Sequence, residues 1–132
     1  MKLAAITYLV RDYDEAIAWF VNVLGFALRE DLALGDGKRW VRVSTPDGET
    51  SLLLAQADSA NQLEAIGNAA GGRVGFFLHV DDFGAIHQWL LAQSVYFREE
   101  PRHESYGTVA VFNDLYGNGW DLIGPTAAKI IR

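Results

Sequence analysis

The sequence predicts an α+β fold of two βαβββ modules whose strands form an open, curved mixed sheet. Three observations carry this. Tyr8-Leu-Val-Arg-Asp-Tyr-Asp-Glu-Ala-Ile-Ala-Trp-Phe20 lies over Leu78-His-Val-Asp-Asp-Phe-Gly-Ala-Ile-His-Gln-Trp-Leu90 at an offset of 70. Pro46–Leu54 lies over Leu115–Ile123 at an offset of 69, so Gly48 falls on Gly117 and Leu54 on Ile123. Each copy shows one strand signal, one helix signal and then three strand signals, and a repeat of this length fixes the architecture.

The elements follow in order. Leu3–Val10 is apolar and β-branched and reads as a strand. Asp12 or Asp14 caps a helix whose apolar face is Ala16, Trp19, Phe20, Val23 and Leu24, and Gly25 suits its C-terminal stop. Strands follow at Phe26–Leu34, Arg39–Ser44 and Ser51–Ala57, separated by turn signals at Gly35-Asp-Gly37 and Pro46-Asp-Gly48. Residues 58–72 read as a linker with one helical turn near Asn61–Ile66. The series restarts with a strand at Val74–Val80. A helix at Asp82–Ala92 turns Phe83, Ile86, Trp89 and Leu90 inward, with His87 at its boundary. Tyr96–Arg98 begins a strand, Pro101–Gly107 is a loop, and Thr108–Asn113 and Gly119–Ile123 close the module. The reading is one domain over 1–132, with module 1 at about 3–57, the linker at 58–72 and module 2 at about 73–124.

Composition narrows the function. A net charge of -6 argues against nucleic acid and anionic membrane as partners. The absence of cysteine removes disulfides, thiolate metal sites and cysteine nucleophiles, and fits a cytoplasmic protein. The apolar N-terminus meets Arg11 and Asp12 too early for a signal peptide, and no run is long enough to span a membrane. There is no phosphate-binding loop and no Gly-x-Ser-x-Gly elbow.

Val10-Arg-Asp-Tyr-Asp-Glu-Ala-Ile-Ala-Trp-Phe20 with Leu24-Gly-Phe26, Val80-Asp-Asp-Phe83, and Tyr106–Phe112 with Asp114–Ile123 resemble the vicinal oxygen chelate superfamily. That superfamily includes glyoxalase I, fosfomycin-resistance transferases, extradiol dioxygenases and bleomycin-binding proteins. The resemblance implies the glyoxalase-like fold and a homodimer. In metal-dependent members it implies a His seven residues before the Asp of each strand–helix junction, and a carboxylate four residues after each turn Gly. Here those places hold Ala5, Gly75, Leu52 and Asp121. One carboxylate falls short of the donor set a divalent ion needs, so the expectation is no metal and no other cofactor.

If those places face a trough between the sheets, strand alternation brings Thr7, Leu9, Phe77 and His79 to it beside Ala5 and Gly75. Asp121 brings Gly119 and Ile123, Leu52 brings Leu54, and Trp40 and Arg42 point away from the helix-packed Val41 and Val43. Tyr106 is placed to lean over the trough. An apolar recess with a few polar groups is the usual form of a small-molecule site. The expected ligand contacts are Thr7, Trp40, Arg42, Leu52, Gly75, Phe77 and Tyr106. The expected catalytic pair is His79 and Asp121.

Alternatives stand beside these roles. His79 also reads as a strand-end histidine satisfied by nearby backbone or a carboxylate, and Asp121 and Arg42 read equally as members of structural ion pairs. The leading functional reading is a metal-independent binder of the bleomycin-resistance type, holding an aromatic or amphipathic compound. The alternative is a glyoxalase-like lyase or isomerase, with His79 as base and Asp121 or a recruited metal holding an oxygen. A third is a structural module whose trough is packed core.

Overall fold

The computed structural model describes residues 1–125. Two compact units divide between Ala69 and Ala70, inside the expected linker. In the first, β1 (Ala5–Val10) leads into α1 (Tyr13–Ala18) and a π-helical turn at Trp19–Val23. Strands β2 (Ala27–Gly35), β3 (Lys38–Ser44) and β4 (Ser51–Gln56) follow, then α2 (Ala60–Ala65). The second unit runs β5 (Val74–His79), α3 (Phe83–Ala92), β6 (Arg102–Glu104), β7 (Gly107–Asn113) and β8 (Gly119–Gly124). Each unit holds a four-stranded mixed sheet, ordered β1-β4-β3-β2 and β5-β8-β7-β6. The two βαβββ modules are thus built alike. Among the described residues no helix is long and apolar enough to cross a membrane.

Local chemistry sets the helix starts as the sequence indicates. Asp12 and Asp82 occupy the N-caps, where their carboxylates accept the Glu15 and Ala85 N–H groups at 2.8 and 3.0 Å. The first helix does not stop cleanly at Gly25. It widens into the π turn, where Leu24 N–H reaches the Trp19 carbonyl and Phe26 N–H reaches Phe20.

In each module one sheet face packs on the helix. In module 1 that layer is Tyr8, Val10, Val41, Val43 and Leu54 under Ala16 and Phe20, all buried. In module 2 it is Ala110, Phe112, Trp120 and Leu122 under Phe83 and Leu90. Trp89 departs from expectation: it is 48% exposed, while its neighbour Leu90 is fully buried. Adjacent residues lie about 100° apart on a helix, and the narrow apolar stripe admits only one of them.

The segment before β7 also differs. Tyr96–Arg98 makes a single bridge, Phe97 to Phe112, and β6 falls inside the stretch expected to be loop. Pairing lapses between them because the Glu99 carboxylate takes the Val111 N–H at 3.0 Å, and Pro101 offers no N–H of its own.

Candidate functional site

The face of each sheet away from its helix holds most of the residues expected at a site. In module 1, parallel pairing sets Thr7 beside Leu53, and antiparallel pairing sets Arg42 beside Leu53 and Trp40 beside Leu32. These side chains share the open face with Leu9 and Ala55 by strand alternation. A cavity of about 500 Å³ opens there, at the ends of β1 and β4 and the start of β3. Thr7, Leu9, Leu53 and Ala55 line its floor, and Trp40 and Tyr13 its walls.

Leu52 is a correction. It pairs with Ile6 and Val43, is 9% exposed, and belongs to the helix-packed layer with Leu54. The open-face residue is Leu53. In module 2 the corresponding residue is Asp121, paired with Phe77 and Val111, so the two last strands correspond at an offset of 68. The turn between β7 and β8 is one residue shorter than that between β3 and β4, and this shifts the register.

Gly75 is a second correction. It sits in an irregularity of the β5–β8 ladder, and a Cβ built on it would lie 3.1 Å from the Ala70 Cβ. The space in front of it is therefore taken by Ala70 and not left for the ligand contact expected of it.

Several polar groups around the module 1 cavity are matched internally. Arg42 donates to Glu30 Oε1 at 2.6 Å and to Ser51 Oγ at 3.1 Å, so the ion-pair alternative describes it and its partner is Glu30. Trp40 Nε1 donates to the same Glu30 oxygen at 2.8 Å. The Arg42 and Trp40 hydrogen bonds hold the Glu30 carboxyl below its ordinary range. Arg39 bonds Asp31 at 2.8 Å and Asp14 at 3.0 Å, and its guanidinium lies 5.0 Å from the centre of the Tyr13 ring. Bonding to Asp31, then Asp14, raises the Arg39 pKa further. At the rim Lys38 meets Asp58 at 3.5 Å.

Module 2 has a smaller cavity of about 310 Å³ in the corresponding place, lined by His79, Asp81, Tyr106, Ile123 and Gly124. His79 and Tyr106 are brought together there, while Phe77 is 62% exposed on the same sheet face. The expected His79–Asp121 pair does not form. In the ladder His79 sits opposite Ile123, and Asp121 Oδ1 is buried without a hydrogen-bond partner. Burial raises the Asp121 carboxyl above its ordinary range; Arg102 pulls it down and Glu99 pushes it up. Arg102 is held by Glu99 at 2.9 Å and Glu104 at 2.6 Å. His103, now on β6, has Nδ1 within 3.1 Å of Thr108 Oγ1.

A raised carboxyl means that the folded chain holds this proton more tightly than the unfolded chain. Asp121 therefore costs no stability below the ordinary aspartate range, and an increasing amount as pH rises through the window up to its raised value. Asp121→Asn is expected to stabilise the protein at pH 7 by about 1 kcal/mol, a low figure because the group is only part-buried. The gain over the parent should fade on acidification, measured as the difference in Tm across pH.

Residues at the metal-ligand places do not fit a divalent ion. By register those places hold Ala5, Leu53, Gly75 and Asp121, one donor in four. Among the described residues no three His, Cys, Asp or Glu side chains converge. Sequence reasoning missed Glu30 and Tyr13 as well as Leu53. The signal for Glu30 was its pairing with Arg42 across the Gly35-Asp-Gly37 hairpin, legible once the turn is set.

Comparison with known proteins gives the same architecture. A protein of Shewanella frigidimarina (strain NCIMB 400) is 49% identical over 124 residues, 92% of each chain. The crystal structure of UcmS2 superposes with a TM-score of 0.80 at 32% identity, covering 93% of this chain and 97% of that one. TnmS3, an antibiotic binding protein from Streptomyces sp. CB03234, gives 0.77 at 26% identity, covering 96% and 97%. The family model described as "Glyoxalase/Bleomycin resistance protein/Dioxygenase superfamily" matches residues 2–122. That match takes in module 1 and all but the end of the last strand of module 2, and the chain belongs to the glyoxalase/bleomycin resistance protein/dioxygenase superfamily.

Proposed function

We propose that this chain is a small-molecule-binding protein that works without a bound metal, as a homodimer, and holds an aromatic or amphipathic compound against Trp40. The observation that carries the reading is the module 1 cavity, about 500 Å³ with a floor of Thr7, Leu9, Leu53 and Ala55 and an indole wall. That volume suits a drug-sized ligand, and an apolar floor with an aromatic side supplies affinity without directional chemistry. The antibiotic binding ascribed to TnmS3 supports it.

The test is calorimetric titration with bleomycin and with daunorubicin, a flat aromatic antibiotic. Micromolar or tighter binding of at least one is expected, unchanged by EDTA. Trp40→Ala should weaken it by about tenfold or more, a loss of about 1.4 kcal/mol. Binding abolished by EDTA, or indifferent to Trp40→Ala, would sink the reading. Sedimentation checks the dimer.

A second reading rests on His79, which shares the module 2 cavity with Tyr106: a lyase or isomerase acting by proton transfer. It requires deuterium exchange into an α-hydroxycarbonyl substrate that His79→Ala abolishes.

A further inference from the structure

We propose, resting on the module 1 cavity as the ligand site, that Glu30 is its positioning residue. A single carboxylate oxygen fixes the Trp40 indole so that a ligand meets the ring and not the N–H. Glu30 Oε1 accepts from Trp40 Nε1 at 2.8 Å and from Arg42 Nε at 2.6 Å. The hairpin puts it there: Glu30 lies opposite Arg42 in the β2–β3 ladder, just past the irregularity at Leu28–Glu30.

Arg42 is held in turn. Its Nη1 donates to Ser51 Oγ at 3.1 Å, and that hydroxyl donates to the Ala4 carbonyl at 3.2 Å. A continuous polar chain thus runs from Trp40 across β2, β3 and β4 to the residue ahead of β1. An indole that is 39% exposed would otherwise sample more than one rotamer, and ordering it on binding would cost affinity. The N–H is the indole's one donor, and Glu30 consumes it. Trp40 therefore offers its π surface, and the site selects compounds that stack over those that need a donor from this wall.

The test begins with the free protein. The indole N–H resonances are followed in 1H–15N spectra, and Trp40→Phe identifies the one from Trp40. In Glu30→Ala that resonance is expected to move upfield and exchange faster with water, while the other indoles stay in place. Glu30→Gln keeps an acceptor of the same reach and should restore most of the shift. Daunorubicin affinity should fall about fivefold or more in Glu30→Ala and stay within about twofold in Glu30→Gln, because preorganisation and not charge is at stake. An unmoved Trp40 resonance in Glu30→Ala overturns the proposal, as does a moved resonance with unchanged affinity. A parent protein that binds neither antibiotic overturns the cavity reading instead, and the Trp40 resonance then still decides whether Glu30 holds the indole.

Discussion

Asp114→Ala is expected to unfold this protein more readily than any other single polar substitution in module 2. Asp114 is 5% exposed at the β7–β8 turn, and its carboxylate organises the turn. Oδ1 accepts the N–H groups of Tyr116 at 2.9 Å and Asn118 at 3.0 Å. Oδ2 accepts Asn118 Nδ2 at 3.1 Å and Trp120 Nε1 at 2.9 Å. Asn118 and Trp120 are themselves buried, so the alanine variant leaves donors that neither water nor protein can satisfy. Each such donor costs about 1–3 kcal/mol, and charge-assisted bonds sit at the upper end. A net loss of about 3–4 kcal/mol follows, since the shared donors are not independent. Urea denaturation monitored by Trp fluorescence should show the midpoint drop with an unchanged slope. Trp120→Phe removes one donor together with its need for a partner, and should cost less than half as much.

The same turn shows what sequence can and cannot disclose. Gly117-Asn118 announces a turn through its tolerance of positive φ, and Gly117 has φ 93. The strand–helix junctions were equally legible, because Asp12 and Asp82 act on backbone groups three residues away. The register of the last strand was not legible. Matching Gly48 to Gly117 paired Leu52 with Asp121, yet the ladder pairs Leu53 with Thr7 where Asp121 pairs with Phe77. A turn one residue longer moves every side chain of the next strand to the opposite face, and both Leu52 and Leu53 are apolar. The His79–Asp121 pair failed for a related reason. Shared face is a local property, but contact depends on the two-residue step that sets Ile123 beside His79. Glu30 and Arg42 illustrate the reverse case, a contact fixed by the hairpin at Gly35-Asp-Gly37, whose turn the sequence marks directly and whose register follows only once the turn is placed. Fold class follows from periodicity and caps, whereas the site depends on registers that one inserted residue can shift.

In module 1 the largest loss is expected from Phe20→Ala. Phe20 has no exposed surface and sits among three aromatic rings. Its centroid is 5.2 Å from Tyr8 at 84°, 5.2 Å from Trp19 at 88°, and 5.4 Å from Phe26 at 40°. Edge-on packing of this kind adds to the area term, so truncation should cost about 3–5 kcal/mol. Phe20 also lies within the π turn where the helix widens, and its carbonyl takes the Phe26 N–H at 2.8 Å, so the cavity left behind borders backbone that cannot collapse freely. The repeat supplies the control. Leu90 stands at the offset of 70 in module 2, fully buried on α3, and Leu90→Ala should cost about 2–4 kcal/mol because less volume is removed. Chemical denaturation of both variants measures the difference. A Phe20→Ala loss smaller than that of Leu90→Ala would mean that the π turn relaxes into the cavity and that the aromatic cluster does not set the helix in place. Tyr13, a wall of the module 1 cavity, lies on that same helix, so on the proposed reading of that cavity Phe20→Ala should also weaken daunorubicin binding, whereas Leu90→Ala in the other module should leave it unchanged.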